Sequence, residues 1–131
     1  MVKGMFDYIT LDWDWDCASF NPSTNRLFQE IISDRRVKRV WVRCSAHGKI
    51  HLWVELSEPV DFWESLYLRS IWNDDANRIR MDIIRFWQDG EVMRLWDSKA
   101  DCIVKEDGKI DCIFLRAGEW QLIYPRTGQD T

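Results

Sequence analysis

The sequence predicts an α+β fold on a βαββαβ plan, and three patterns carry that prediction. Two neighbouring stretches, about residues 37–45 and 50–56, alternate apolar and polar side chains with a period of two across a short turn containing Gly48. A helical pattern precedes this pair, and another follows it. Strand-like runs open and close the series, at Tyr8 to about Trp15 and at Val92–Trp96.

The elements follow in order. Tyr8-Ile-Thr-Leu-Asp-Trp-Asp-Trp15 reads as the first strand. Asn21-Pro22 supplies a capping residue and a first-turn proline, and Leu27, Phe28, Ile31 and Ile32 share a face, so 22–34 reads as a helix. In the strand at 37–45, Val40, Val42 and Cys44 point one way and Arg39, Trp41, Arg43 and Ser45 the other. In the strand Ile50–Leu56, Ile50, Leu52, Val54 and Leu56 share one face, opposite His51, Trp53 and Glu55. Residues 61–73 and 75–88 read as two helices, the second with an apolar stripe of Ala76, Ile79, Ile83, Phe86 and Trp87. After the Val92–Trp96 strand, a hairpin at about 102–115 turns at Asp107-Gly108, a pair suited to a type I′ turn, and a last strand runs through Trp120–Tyr124. This is the split-βαβ, ferredoxin-like or RRM-like plan, with a core at about 6–97 and a C-terminal hairpin extension at about 101–125 in one domain. Its first strand lies centrally, beside the third and fourth, and helices cover one face of the sheet.

Composition narrows the function classes. With 131 residues and 46% hydrophobic residues, the chain can bury a sizeable core without staples. Eighteen Lys and Arg against 22 Asp and Glu leave a net charge of −4, which argues against a general phosphate-coating protein. Nine tryptophans exceed what a core of this size absorbs, because each buried indole N–H needs a partner. Cys17, Cys44, Cys102 and Cys112 form no C-x-x-C pair and suit a reducing, cytoplasmic setting. Met1-Val-Lys-Gly-Met5 leads directly into strand pattern, so no secretory leader is expected, and no apolar run reaches the ~20 residues of a membrane span.

Chemistry concentrates on the polar sheet face. Asp12 and Asp14 are two apart on a strand, so both carboxylates leave one face together with Thr10. Such a pair suits Mg²⁺ or Mn²⁺, which prefer carboxylate oxygen; a solvated acidic strand end continuing into Asp16 is the other reading. Ser45-Ala-His-Gly-Lys-Ile-His51 is a turn able to offer a hydroxyl, backbone N–H groups, Lys49 and His51 to phosphate oxygens. Arg39, Trp41, Arg43 and Trp53, with Arg94 and Trp96, interleave cations and aromatics as single-strand-binding sheets do. Cover by the C-terminal hairpin, through Ile113, Leu115 and Trp120, or a homodimer burying that face, accounts for the same tryptophans. His47 and His51 are spaced as zinc ligands on a helix, but Gly48 and the strand pattern spoil that geometry.

The segments Ile9-Thr-Leu-Asp12-Trp-Asp14 and Ser45 through His51 resemble motifs I and II of the archaeo-eukaryotic primase superfamily. The resemblance covers about residues 8–56 and implies an RRM-like catalytic core. It further implies that Asp12 and Asp14 hold a divalent metal for nucleotidyl transfer in DNA replication, and that His51 contacts the incoming nucleotide, where Ser45 and Lys49 of the same turn would join it on the triphosphate. A third acidic ligand is expected on a later strand. Asp97, after Leu95-Trp96, and Asp82, after Met81, compete for it, although Asp82 falls in a helix where Arg78 and Arg85 offer it surface ion pairs. A minimal or degenerate relative from an archaeal virus or plasmid fits the short chain, and places it in the host-cell cytoplasm.

Overall fold

The computed structural model describes residues 4–89 and 98–125. β1 (Met5–Trp13), α1 (Arg26–Ser33), β2 (Val37–Cys44), β3 (Ile50–Asp61), α2 (Phe62–Ile71) and α3 (Ala76–Asp89) follow the expected order. β4 (Ser98–Val104), β5 (Ile110–Arg116) and β6 (Gln121–Tyr124) complete it. One sheet runs β1-β3-β2-β6 with every neighbouring pair antiparallel, and among the described residues β4 and β5 pair with each other in a second sheet of two. β3 therefore lies between β1 and β2, which run the same way and are joined through α1. The strand expected at Val92–Trp96, with Arg94, Trp96 and Asp97, lies outside the described residues.

Alternation in the sequence becomes a two-faced sheet. Ile9, Leu11 and Trp13 of β1, Val37 and Val40 of β2, and Ile50, Leu52, Val54 and Leu56 of β3 are buried with Phe28, Ile31, Leu68 and Trp72 from the helical side. The Trp13 indole N–H donates to the Trp72 carbonyl at 2.8 Å, which satisfies a buried donor and pins the end of α2 to β1.

Several boundaries move for local reasons. α1 starts later than expected because Asn25, not Asn21, is its cap: the Asn25 side chain accepts from Phe28 N–H at 2.8 Å. β1 ends at Trp13, so Asp14 lies beyond the strand, 93% of its side chain exposed. Asn73, at φ +59°, reverses the chain between α2 and α3. In α3 the inward stripe is Arg78, Ile79, Asp82, Ile83 and Phe86, while Ala76 and Trp87 face solvent. The β4–β5 turn is not type I′, which requires two residues at positive φ; only Gly108 has one, and Gly108 N–H donates to the Lys105 carbonyl. The β2–β3 turn repeats this pattern, with Gly48 at φ +76° and its N–H on the Ser45 carbonyl.

The cysteines are paired. Cys17–Cys44 ties the segment after β1 to the end of β2, and Cys102–Cys112 bridges opposite residues of the β4–β5 hairpin. The expectation of scattered thiols failed because the fold brings the partners together, Cys17 beside the end of β2 and Cys102 opposite Cys112. No described helix is long and apolar enough to cross a membrane.

Candidate phosphate and cation pocket

Register sets the polar face in rows. Asp12 of β1 stands opposite His51 of β3, which stands opposite Arg43 of β2. The next row is Thr10, Trp53 and Trp41, and beyond it Tyr8, Glu55 and Arg39. The Asp12 N–H leaves the sheet and donates to Asp74 Oδ1 at 2.8 Å. Asp12 and His51 are therefore a non-hydrogen-bonded pair, the class in which facing side chains stand closest. His51 Nε2 lies 3.9 Å from Asp12 Oδ1.

Arg43 fixes the imidazole. Its Nε–H donates to His51 Nδ1 at 2.9 Å, so Nδ1 carries no proton and the ring N–H sits on Nε2, toward Asp12. The Arg43 guanidinium in turn lies 4.5 Å over the Trp120 ring. Contrary to the expectation of an open face, His51 is only 5% exposed. The cover expected from the C-terminal segment is met in part. Ile113 of β5 points to solvent, and the cover comes from Trp120, brought over the face where β6 pairs with the edge of β2.

Asp12, Asp14, Ser45, Lys49 and His51 line one pocket of about 160 Å³, together with Ala46, His47 and Asp75. Lys49 Nζ lies 3.7 Å from Asp14 Oδ1, and Ser45 Oγ accepts from Lys49 N–H at 3.0 Å. Asp75 is the acid that sequence reading missed. Its Oδ1 accepts from the N–H groups of Asn77 and Arg78 at the start of α3, and an Asp just ahead of a helical pattern was the available signal.

The two candidates for a third acid fare differently. Asp97 lies outside the described residues. Asp82 is not a surface residue paired with Arg78 and Arg85: it is fully buried, and Arg69 Nη1 donates to its Oδ2 at 2.6 Å. It belongs to a network beneath the pocket, in which Arg69 Nε bonds Asp74 Oδ2 at 2.7 Å and Arg78 Nη1 bonds Asp74 Oδ1 at 2.6 Å. Arg78 also reaches Thr10, at its carbonyl and its Oγ1. Side chains of Asp74 and Arg78 thus occupy the outer edge of β1 at Thr10 and Asp12, where a strand on that side would have bonded.

Among the described residues no three His, Cys, Asp or Glu side chains form a ready-made metal cluster. The donors still suit Mg²⁺ or Mn²⁺: such ions are commonly held by one or two carboxylates, with waters and substrate phosphate completing the shell. No protein-family model, curated protein or solved structure matches the chain.

Proposed function

We propose that the chain is a nucleic-acid-associated, primase-like protein whose Asp12–His51 pocket binds a divalent cation and nucleotide phosphates for nucleotidyl transfer. One observation carries the reading. Residues from two separate motifs, Asp12 and Asp14 from the first and Ser45, Lys49 and His51 from the second, line a single pocket. The β1-α1-β2-β3 order with β3 central supports the RRM-like plan that such a protein would share.

Asp12 and Asp14 would hold Mg²⁺ or Mn²⁺. When bound, the ion neutralises phosphate charge and aids in-line displacement. The other side chains have complementary duties. His51 presents Nε2–H to a phosphate oxygen, fixed in that tautomer by Arg43. Lys49 adds a point charge, and the Ser45 hydroxyl, whose oxygen already accepts from Lys49 N–H, donates its proton to phosphate.

Thermal unfolding with Mn²⁺ and ATP tests this. A ligand at a hundred times its Kd adds about 2.7 kcal/mol. Mn²⁺ and ATP together should stabilise the wild type and leave Asp12→Asn nearly unmoved; no shift in the wild type ends the reading.

A second reading rests on the sheet face itself, where Arg39, Trp41, Arg43 and Trp53 stand in adjacent rows. In it the chain is a non-catalytic single-strand-binding or homodimerisation module, and Asp12→Asn leaves binding intact while Trp53→Ala weakens it. Two disulfides accord with an oxidising compartment, and equally with the disulfide-rich intracellular proteins of hyperthermophilic archaea, which keeps a host-cell cytoplasmic location within the proposal.

A further inference from the structure

Beside the phosphate pocket lies a second cleft, of about 310 Å³, walled by Trp41, Trp53 and Trp120. Trp41 and Trp53 are direct partners across β2 and β3. Tyr8 stacks on Trp53 at 4.5 Å and 10° between planes, which fixes that indole from one side. Trp120 stands 6.2 Å from Trp53 at 76°, steadied by the Arg43 guanidinium over its own ring. The cleft is thus an open aromatic slot in which Trp53 and Trp120 are held by contacts within the protein.

Charge around the slot selects the occupant. Three indoles also suit a quaternary ammonium, but such a ligand is disfavoured beside cations. Glu55, the acid of the neighbouring row, is taken by Arg39 at 3.1 Å and Lys38 at 3.9 Å. Arg43, over the Trp120 ring, adds a guanidinium beside the slot. A neutral planar ring fits these walls, and a cation does not.

The two cavities are neighbours. His51 lines the phosphate pocket, and its ring lies 6.5 Å from that of Trp120, which walls the slot. At about 160 Å³ the phosphate pocket is smaller than the ~300–1,000 Å³ of sites that enclose a whole small molecule. A nucleotide bound there must place its base elsewhere. Trp120 also lies against both His51 and Trp53, so bases cannot stack in succession from one row to the next as on an open sheet.

We propose that Trp41, Trp53 and Trp120 seat one nucleobase of a mononucleotide whose phosphates occupy the Asp12–His51 pocket. This rests on the phosphate reading above, and the test separates the two. Calorimetry is run with ATP plus Mn²⁺, with adenosine alone, and with an eight-residue oligothymidine, on the wild type, Trp120→Leu, Trp120→Phe and Asp12→Asn. Loss of one stacking wall should weaken ATP and adenosine about tenfold in Trp120→Leu and only a few-fold in Trp120→Phe. Asp12→Asn should weaken ATP with Mn²⁺ and leave adenosine unchanged. The oligomer should bind no tighter per site than the single nucleotide.

If ATP binds and Trp120→Leu leaves it unaffected, the base seat is overturned and the phosphate pocket stands. If adenosine binding needs Trp120 while ATP binds no tighter than adenosine with or without Mn²⁺, the seat stands and the phosphate reading falls. An oligomer bound far more tightly than ATP, or a dimer that buries the slot, overturns the seat. Should Trp120→Leu fail to fold, indole ¹⁵N–H signals of the wild type decide: adenosine must shift Trp41, Trp53 and Trp120 and spare the exposed Trp63 and Trp87. Any other pattern overturns the proposal.

Discussion

His51 receives a hydrogen bond at Nδ1 from Arg43 and turns Nε2 toward Asp12, 3.9 Å away, so a single row of three strands holds a cation, an oriented imidazole and a carboxylate. The tautomer is a consequence of Arg43. In the wild type at neutral pH the His51 ¹⁵N shifts should be those of a ring protonated at Nε2 alone. Arg43→Met removes the donor and should let both tautomers populate, with His47, exposed at the turn, as the internal control. Mg²⁺ should move the Nε2 signal in the wild type and not in Asp12→Asn. A His51 that reads as protonated at Nδ1 in the wild type refutes the assigned geometry.

Asp74 has a larger stake in stability than in chemistry. Its carboxylate is fully buried and meets Arg69, Arg78 and the Asp12 N–H at once. Removing one partner of a buried pair strands the other charges and costs about 3–5 kcal/mol. Asp74→Ala should therefore lower the urea midpoint by that equivalent. Asp75→Ala, which removes a helix cap, should cost only about 1 kcal/mol. Equal losses for the two would mean the network contributes no more than a cap.

The sheet faces were legible in the sequence because strand alternation is a local signal: residues 39, 41 and 43 separate from 40 and 42 on sight, and the register follows. The same locality gathered Asp12, Asp14, Ser45, Lys49 and His51, since β1 with the residue just past it, the start of β3 and the turn before β3 carry them all. What failed was long-range. His51 lies beneath Trp120, nearly seventy residues later; its own segment announces no cover, and Trp120 entered only through the alternative reading of a covered face. Asp82 lies on the apolar stripe of α3, between Ile79 and Phe86, and that position was a readable warning; its partner Arg69 sits across a helix break. Disulfide partners 27 residues apart likewise meet only through the fold.

The two disulfides should differ in what their loss does. Cys17–Cys44 closes a loop of 27 residues against 10 for Cys102–Cys112, which in the chain-entropy account is about 3.5 against about 2.7 kcal/mol. Location separates them further. Cys17 N–H donates to the Gly48 carbonyl, so the first bridge braces the turn that carries Ser45 and Lys49. Cys17→Ser with Cys44→Ser should weaken ATP binding as well as stability. Cys102→Ser with Cys112→Ser, in a hairpin that forms its own sheet, should leave ATP binding unchanged.

Acid should find the junction between α1 and β2. Asp34, the C-terminal cap of α1, is held below its ordinary 3.8 by the side-chain hydrogen bond from Arg36, whose own pKa is raised by Asp34 and Glu64. Burial opposes that lowering without reversing it. A carboxyl whose folded value is depressed binds fewer protons in the native state, so its stabilisation is whole above the unfolded value and drains away as pH falls through the folded one. Asp34→Asn should therefore cost stability at pH 6, and the gap between mutant and wild type should close as pH drops below about 4. Urea midpoints of both proteins at pH 6 and pH 3 measure it. A gap that stays constant between those values would show that Arg36 gains nothing from the charge on Asp34.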